Sequence, residues 1–525
     1  MPGIGARRRQ LILAICCLSL FMVGIDNSAV NVALPSIQRG LSASLSGLQW
    51  TLDAYTLTLA SLFILAGSAG DRFGRHRVFQ VGLTTFVIGS ALCAVVPNLS
   101  LLVAARALQG VGGAMMNPVA MSIITNTFTD AKERARAIGI WGGVVGLSMA
   151  LGPVVGGLLI GMTSWRAIFW LNVPVGIVAI VLTQLFVPRS KAPRPRRFDP
   201  VGQLLVIAVL ACTTYAIIEA PRAGWLSART LGCFAAAVTA LAVFIPYELR
   251  REEPLVNPRF FRSLPFSGAT LIAVSGFAAL AGFLLMNTLY LQDALGYSAL
   301  KAGLLTLPIA VGSTLAGPLS GRVVAAAGPR RPLVLGGALL AVSALMLTGL
   351  RASTPIVFLM IAYAILGIGF GSLNPPITNT AVTGMPRAQA GVAAAVASTS
   401  RQVGQTLGVA VIGSVVTSRI HGSLLSGLPA ASHAGWWILT GLGLVILALG
   451  MLTTGRYAAR TAARTAERNA ENNDDTIGRL QSPRGDDLPD PGAARSAAVG
   501  NGRDRDQLLA YPGTATAAQR PGADG

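Results

Sequence analysis

Gly67-Ser68-Ala69-Gly70-Asp71-Arg72-Phe73-Gly74-Arg75-His76-Arg77 joins two long apolar runs, and its reading decides the fold. The run before it spans Leu48 to Ala69 and the run after it Val78 to Val96. Each is long enough to cross a hydrocarbon layer as a helix. Glycine at position 74 allows a tight turn between them. Asp71 is placed to cap the second helix and to favour its positive N-terminal end. Arg72, Arg75 and Arg77 can pair with carboxylates on a neighbouring bundle. Such a latch at one membrane surface would stabilise one orientation of two moving halves.

Working outward, the same alternation of apolar run and basic loop fills most of the chain. The first span is Leu11 to Ile37, the fourth Leu101 to Thr125, the fifth Ala135 to Met162 and the sixth Ala167 to Val187. The seventh is Pro200 to Ile218, the eighth Ala228 to Tyr247, the ninth Phe266 to Leu291 and the tenth Ala302 to Val324. The remaining four are Pro332 to Leu350, Thr354 to Ile377, Gln389 to Ser418 and Gly435 to Met451. With the two flanking the opening stretch, this predicts fourteen membrane helices. Met1 to Gln10 with Arg7, Arg8 and Arg9 resembles a secretory leader, but the following run is too long and lacks a small-residue cleavage site. It reads as an uncleaved first span.

Loop charge tests the count. The N-terminus and every second loop carry arginine or lysine clusters, such as Arg72, Arg75 and Arg77, then Lys132, Arg134 and Arg136, then Arg189 to Arg197. The intervening loops carry isolated cations such as Arg39, Arg166 and Arg351. The clustered side is cytoplasmic by the positive-inside rule, and an even number of spans places both termini there. A miscounted helix would scramble this alternation.

Composition agrees. Of 525 residues, 53% are hydrophobic and 12% charged, about half the charged share of a soluble domain. The net charge of +20 could suggest a nucleic-acid partner. The cations, however, sit in short loops between apolar runs, so anionic lipid headgroups are the expected partner and nucleic acid is not. The cysteines lie inside apolar runs without metal spacing, and His76, His421 and His433 lie in loops. No phosphate-binding glycine loop, metal cluster or nucleophile triad is visible. No cofactor, metal or enzymatic activity is expected. Abundant Ala, Gly and Arg with few Lys suggest a GC-rich bacterial genome, so a bacterial cytoplasmic membrane is the expected location.

Four regions follow: a six-helix N-terminal bundle (1–187), a linker with two inserted helices (188–262), a six-helix C-terminal bundle (263–455) and a polar tail (456–525). The tail has balanced charge and few aliphatic residues. Disorder is expected there, with helix near Tyr457–Glu471.

The Gly67–Arg77 stretch resembles the loop signature of the major facilitator superfamily. A weaker echo, Gly317-Pro-Leu-Ser-Gly321-Arg322 followed by Gly328-Pro-Arg330-Arg331, lacks the aspartate. Its position after the tenth span implies that the seventh and eighth helices are inserted between two six-helix halves. Three further stretches are similar to the fourteen-helix drug:proton antiporter branch. They are Asp26-Asn-Ser-Ala-Val-Asn31-Val-Ala-Leu-Pro35, Arg106-Ala-Leu-Gln109-Gly110-Val-Gly112, and Gly152-Pro153-Val-Val-Gly156-Gly157 preceded by Gly139. The last resembles the antiporter motif, with Ser148 in place of one usual glycine. Asn172-Val-Pro174-Val-Gly176 and Ser400-Arg401-Gln-Val-Gly404 also resemble this branch. Physically, Gly152, Gly156 and Gly157 let helices approach closely, and Pro153 removes a backbone bond to form a hinge.

Ionisable residues inside spans are costly and default to functional hypotheses. Asp26, Asp53, Arg106 and Glu219 are candidates for proton coupling, with Asp26 foremost. Burial disfavours a charged carboxylate and a nearby arginine favours it, so protonation and cargo binding can compete. Asp53 is expected near the outer end of its span. Arg401 reads as a brace between helices. Asn31, Trp50, Tyr55, Gln109, Tyr290, Gln292, Asn374 and Asn379 are candidates for a cavity holding a small organic molecule. The expected function is export of such molecules in exchange for protons, by a monomer. Uptake by symport, or a polytopic membrane enzyme or sensor, are the alternatives.

Overall fold

The computed structural model describes residues 5–191, 198–251, 253–351, 353–383, 390–419, 424–455, 457–458 and 460–465. The tail expected to be disordered lies almost wholly outside these residues, as do Arg387, His421 and residues 192–197 of the linker Pro188–Asp199. The tail's described residues are helical.

The described residues form helices and no strand. In order they are α1 (Ala6–Leu41), α2 (Leu45–Phe73), α3 (Arg75–Val95), α4 (Leu99–Thr127), α5 (Ala131–Met162), α6 (Arg166–Phe186), α7 (Pro200–Ala223) and α8 (Ala228–Arg250). They continue as α9 (Leu264–Leu289), α10 (Ala299–Leu305), α11 (Leu307–Ala327), α12 (Arg330–Leu347), α13 (Ile356–Val382), α14 (Ala390–Arg419) and α15 (Leu424–Leu452). Short polar residues mark the starts. Ser44, Asn98, Asp130 and Ser227 each accept a backbone N–H of the first turn of α2, α4, α5 and α8, supplying partners that a helix end lacks.

Thirteen helical stretches among the described residues are long and apolar enough to cross a membrane. The exception among the expected spans is α14, a 30-residue helix that carries Arg401, Gln402 and Gln405. It can be more polar because it packs between α2, α7, α9 and α15 instead of facing lipid on most sides. The expected tenth span is two helices. Thr306 ends α10, and Pro308, without an N–H, stands in the first turn of α11. A π turn, Tyr290–Ala294, extends α9.

Packing divides the bundle. Helices α1 to α6 pack among themselves, chiefly α2 and α3 on α4, α1 on α5, and α3 on α6. Helices α9 to α15 do likewise through α11 on α13, α9 on α14 and α12 on α15. The pair α7 and α8 pack on each other, and α7 lies against both α2 and α14. The two sets meet along two seams, α2 with α14 and α5 with α10 and α11.

These seams are closed from mid-depth to the end opposite the N-terminus. There Gln49 Nε2 donates to the carbonyls of Val409 and Ala410 at 3.2 and 3.0 Å. Thr406 and Thr56 hydroxyls are 3.0 Å apart, and Gln292 Nε2 donates to Val32 O at 2.8 Å. Asn27 Nδ2 reaches Gln405 Oε1 at 3.4 Å at mid-depth. Toward the basic end, α5 and α11 separate. Gly139, Gly142 and Gly143 have no neighbour that an added methyl would touch, and Arg322, Val323 and 325–327 of α11 are exposed. A vestibule between the halves therefore opens at the basic end.

Candidate functional site

The site is built from the polar residues that the apolar helices bury. Arg106 on α4 and Asp26 on α1 are both fully buried, with Arg106 Nη1 2.6 Å from Asp26 Oδ2. Gln109, one turn along α4, donates to Asp26 Oδ1 at 2.9 Å and accepts from Arg106 at 2.7 Å. Asn172 on α6 donates to the same Oδ1 at 2.9 Å and to Ser90 Oγ at 3.1 Å. Arg106 Nε donates to Thr51 O at 3.1 Å, and its guanidinium lies 4.2 Å from the centre of the Tyr55 ring. Asp26 is thus a saturated acceptor inside the first six helices.

Asp53 differs. It lies about two turns from the start of α2, near the outer end as its sequence position suggested, but it is fully buried and not solvated there. Helix α2 begins at Leu45 and its first two turns are covered by α14, which moves Asp53 into the seam. Asp53 Oδ1 accepts only from Thr56 Oγ1 at 3.4 Å, and Oδ2 has no partner among the described residues. Thr56 in turn meets Thr406 of α14. The buried carboxyl without a cation is therefore one hydroxyl away from the boundary between the halves. Beside it, Leu57, Ala60, Val209, Leu210, Thr213, Thr214, Val403, Thr406 and Leu407 enclose a cavity of about 210 Å³ between α2, α7 and α14.

Glu219 does not join this network. It accepts from Trp50 Nε1 at 3.1 Å, and Trp50 also packs against Tyr215, ring centres 6.0 Å apart. Both rivet α7 to α2. Trp50 is therefore a fastening of the inserted helix, not a wall of the vestibule.

Most of the other cavity candidates are also structural. Asn31 donates to Asn27 O on its own helix at 2.9 Å. Tyr55 and Gln109 belong to the Arg106 cluster. Tyr290 donates to Arg351 O at 2.7 Å, and Gln292 closes the seam to α1. Asn374 is half-buried and Asn379 exposed on α13. Asn27, Gln49, Gln405 and Thr406 were not singled out by sequence, and Asn172 stood only in a stretch quoted for its resemblance. Each is a polar residue within an apolar span, which is the one signal that could have found them.

The glycines of α5 serve two partners. A methyl on Gly152 would lie 1.8 Å from Ser28 Oγ, and one on Gly156 would lie 2.8 Å from Ala29 Cβ, so both seat α1. Ser148 lies against Gly24, and its carbonyl accepts from Ser28 Oγ at 3.3 Å. Gly157 faces the other half, where a methyl would come within 2.6 Å of Ala299 O and Leu300 Cα. Gly303 of α10 answers it, set against the carbonyl of Pro153. Helix α5 runs through Pro153 without ending. Gly139 touches nothing, because it lies where the halves have parted.

The loop at Gly74 also departs from expectation. Asp71 lies in the last turn of α2 and accepts from Arg75 Nη2 at 2.9 Å. It does not cap α3, because α2 runs on to Phe73 and Gly74 alone makes the turn, at φ 102°. Arg75 N–H donates to Ser190 O at 2.9 Å, and Arg72 and Arg77 are exposed. The arginines reach no carboxylate of the other half among the described residues, since the halves are apart at this end. Gly67 packs near Pro118 of α4. The echo after α11 repeats the turn, with Gly328 at φ 79° before α12.

Comparison with known proteins places this geometry. The chain matches the Major Facilitator Superfamily over residues 16–409. It is 36% identical over 420 residues to the multidrug resistance protein Stp of Mycobacterium tuberculosis, covering 79% of this chain and 78% of that one. It is 38% identical to the tetracenomycin C resistance and export protein of Streptomyces glaucescens, covering 80% and 78%. It is 35% identical to the multidrug efflux pump LfrA of Mycolicibacterium smegmatis, covering 78% and 81%. In structure it resembles a bacterial homologue of the human lysosomal transporter Spinster, solved inward-facing and unoccupied, with a TM-score of 0.61, 18% identity and 89% and 99% coverage. It also resembles the xylose transporter XylE of E. coli, with a TM-score of 0.58, 15% identity and 85% and 97% coverage. The fold is the shared property.

Proposed function

Because this chain belongs to the major facilitator superfamily, we propose that it is a proton-coupled antiporter that exports drugs, antibiotics or similar small organic molecules across a bacterial cytoplasmic membrane. Relatives named as efflux pumps and resistance exporters support export over uptake. The positive-inside rule puts the basic end, with both termini, in the cytoplasm. The vestibule then faces the cytoplasm, the loading side for an exporter.

The observation that carries the coupling is Asp53, a buried carboxyl without a cation at the α2–α14 seam. Burial without a counter-charge holds such a group neutral. In the proposed cycle, opening of the far end lets Asp53 take a proton from outside. Closure buries it neutral, it stays so while the cytoplasmic end opens, and it loses the proton when cargo loading loosens the seam beside it. Asp26 stays paired with Arg106 and holds the first six helices together. The seam's interhelical hydrogen bonds are worth only about 0.6 kcal/mol each in membranes, so both orientations stay within reach. The membrane potential supplies about 2.3 kcal/mol per charge per 100 mV. The Arg75–Asp71 loop is the latch that re-pairs when the basic end closes.

The test is flux in proteoliposomes under an imposed pH gradient, with ethidium as cargo and an uncoupler as control. Ethidium accumulation that follows the gradient and collapses with the uncoupler is expected. Flux indifferent to the gradient sinks the reading.

A further inference from the structure

Arg401 on α14 is a half-buried charge that the coupling scheme leaves unused. Its Nη2 donates to Thr378 Oγ1 of α13 at 2.5 Å, and its Nη1 reaches Ser398 Oγ at 3.3 Å. Its guanidinium lies 6.0 Å from the centre of the Phe277 ring on α9, and Nε has no partner among the described residues. No carboxylate stands within 4.0 Å of it among the described residues. Arg106, the other arginine at the heart of the bundle, has its aspartate. As a brace alone, Arg401 is an expensive choice, because hydroxyls leave a full positive charge uncompensated among apolar helices.

Its position gives the charge a use. Gln405, one turn further along α14, meets Asn27 of the opposite half. Beyond that contact the seam is closed, and on the Arg401 side the halves diverge. Arg401 therefore stands one turn toward the basic end from the Asn27–Gln405 contact, and its partner Thr378 is exposed, so an arriving molecule can reach this end of α14. Asn374, one turn before Thr378 on α13, is half-buried, and its carbonyl accepts from Thr378 Oγ1 at 3.3 Å. A planar guanidinium whose only polar neighbours are hydroxyls among the described residues is suited to an oxyanion.

We propose that Arg401 binds an anionic group, a carboxylate or comparable oxyanion, of the exported organic molecule. This rests on the export reading and adds the cargo's charge. Phe277 supplies the ring surface next to the charge for the apolar body of such a molecule.

Equilibrium binding to the purified full-length protein in nanodiscs tests this with three matched probes: naphthoate, naphthamide and naphthylmethylammonium. Naphthoate is expected to bind wild type about tenfold tighter than naphthamide, the equivalent of ~1.4 kcal/mol, with the ammonium weakest. Arg401→Gln should erase that preference, Arg401→Lys should keep part of it, and Arg229→Gln, at the exposed start of α8, should keep all of it. Equal affinity of acid and amide for wild type overturns the proposal without any variant. So does an acid preference that survives in a folded Arg401→Gln. Absence of the anion preference in wild type, with gradient-driven flux intact, removes this inference alone. The preference kept, with neither ethidium nor naphthoate flux following the gradient, removes the antiport reading alone.

Discussion

Arg106 Nη1 and Asp26 Oδ2 stand 2.6 Å apart, on α4 and α1, with neither side chain exposed to any solvent. Gln109 and Asn172 fill the other oxygen of the aspartate. Breaking such a pair leaves a buried charge unmatched and costs about 3–5 kcal/mol, whereas removing both charges costs far less. Asp26→Asn is expected to lower the melting temperature in detergent strongly. Adding Arg106→Gln to it should restore part of the loss. A single variant that melts like wild type would show that the pair is not structural.

Asp53 has no cation to lose. Asp53→Asn imitates its neutral form and should leave the melting temperature near that of wild type. The variant should still equilibrate ethidium across proteoliposomes but fail to concentrate it against a pH gradient. Glu219→Gln, which keeps an acceptor for Trp50, should leave gradient-driven accumulation unchanged. Coupling lost in Glu219→Gln and kept in Asp53→Asn would reverse the assignment.

Gly157 and Gly303 set how closely α5 and α10 approach. A methyl on Gly157 would lie 2.6 Å from backbone atoms of Ala299 and Leu300, and one on Gly303 would lie 2.3 Å from Pro153 O. These neighbours are backbone and cannot swing aside. Gly157→Ala should therefore shift the population toward separation at the end opposite the N-terminus. Spin labels at Arg39 and Lys301, both exposed, in a cysteine-free background would report longer distances. An unchanged distance distribution would refute the role of this contact in closure.

Gly74 adopts φ 102° and Gly328 φ 79°, conformations that a side chain strains by about 1–3 kcal/mol. Gly74→Ala and Gly328→Ala should each lower thermal stability by that order. Gly317→Ala, inside α11 with only a 3.9 Å neighbour, should not. Equal effects from all three would mean that turn geometry is not the cause.

The sequence by itself determined the spanning helices, their two repeated halves and the inserted pair. Each of these follows from local patterns: apolar length, alternating loop charge and glycine turns such as Gly74 and Gly328. It also marked Asp26, Asp53 and Arg106, because a charge within an apolar run is conspicuous wherever the helix ends up. Only the tertiary structure decided what those charges do. Asp26 and Asp53 look alike in sequence, yet one meets an arginine, a glutamine and an asparagine from two other helices, and the other meets a single threonine. The difference depends on which residues distant in sequence are brought alongside, 106, 109 and 172 for Asp26 but none for Asp53, which has only the nearby Thr56, and on how far the surrounding helices exclude water. Neither the neighbours of a charge nor its solvation is a local property of the chain. For the same reason the two sides of the α5 glycine motif, one turned to α1 and one to α10, could not be read from their spacing alone.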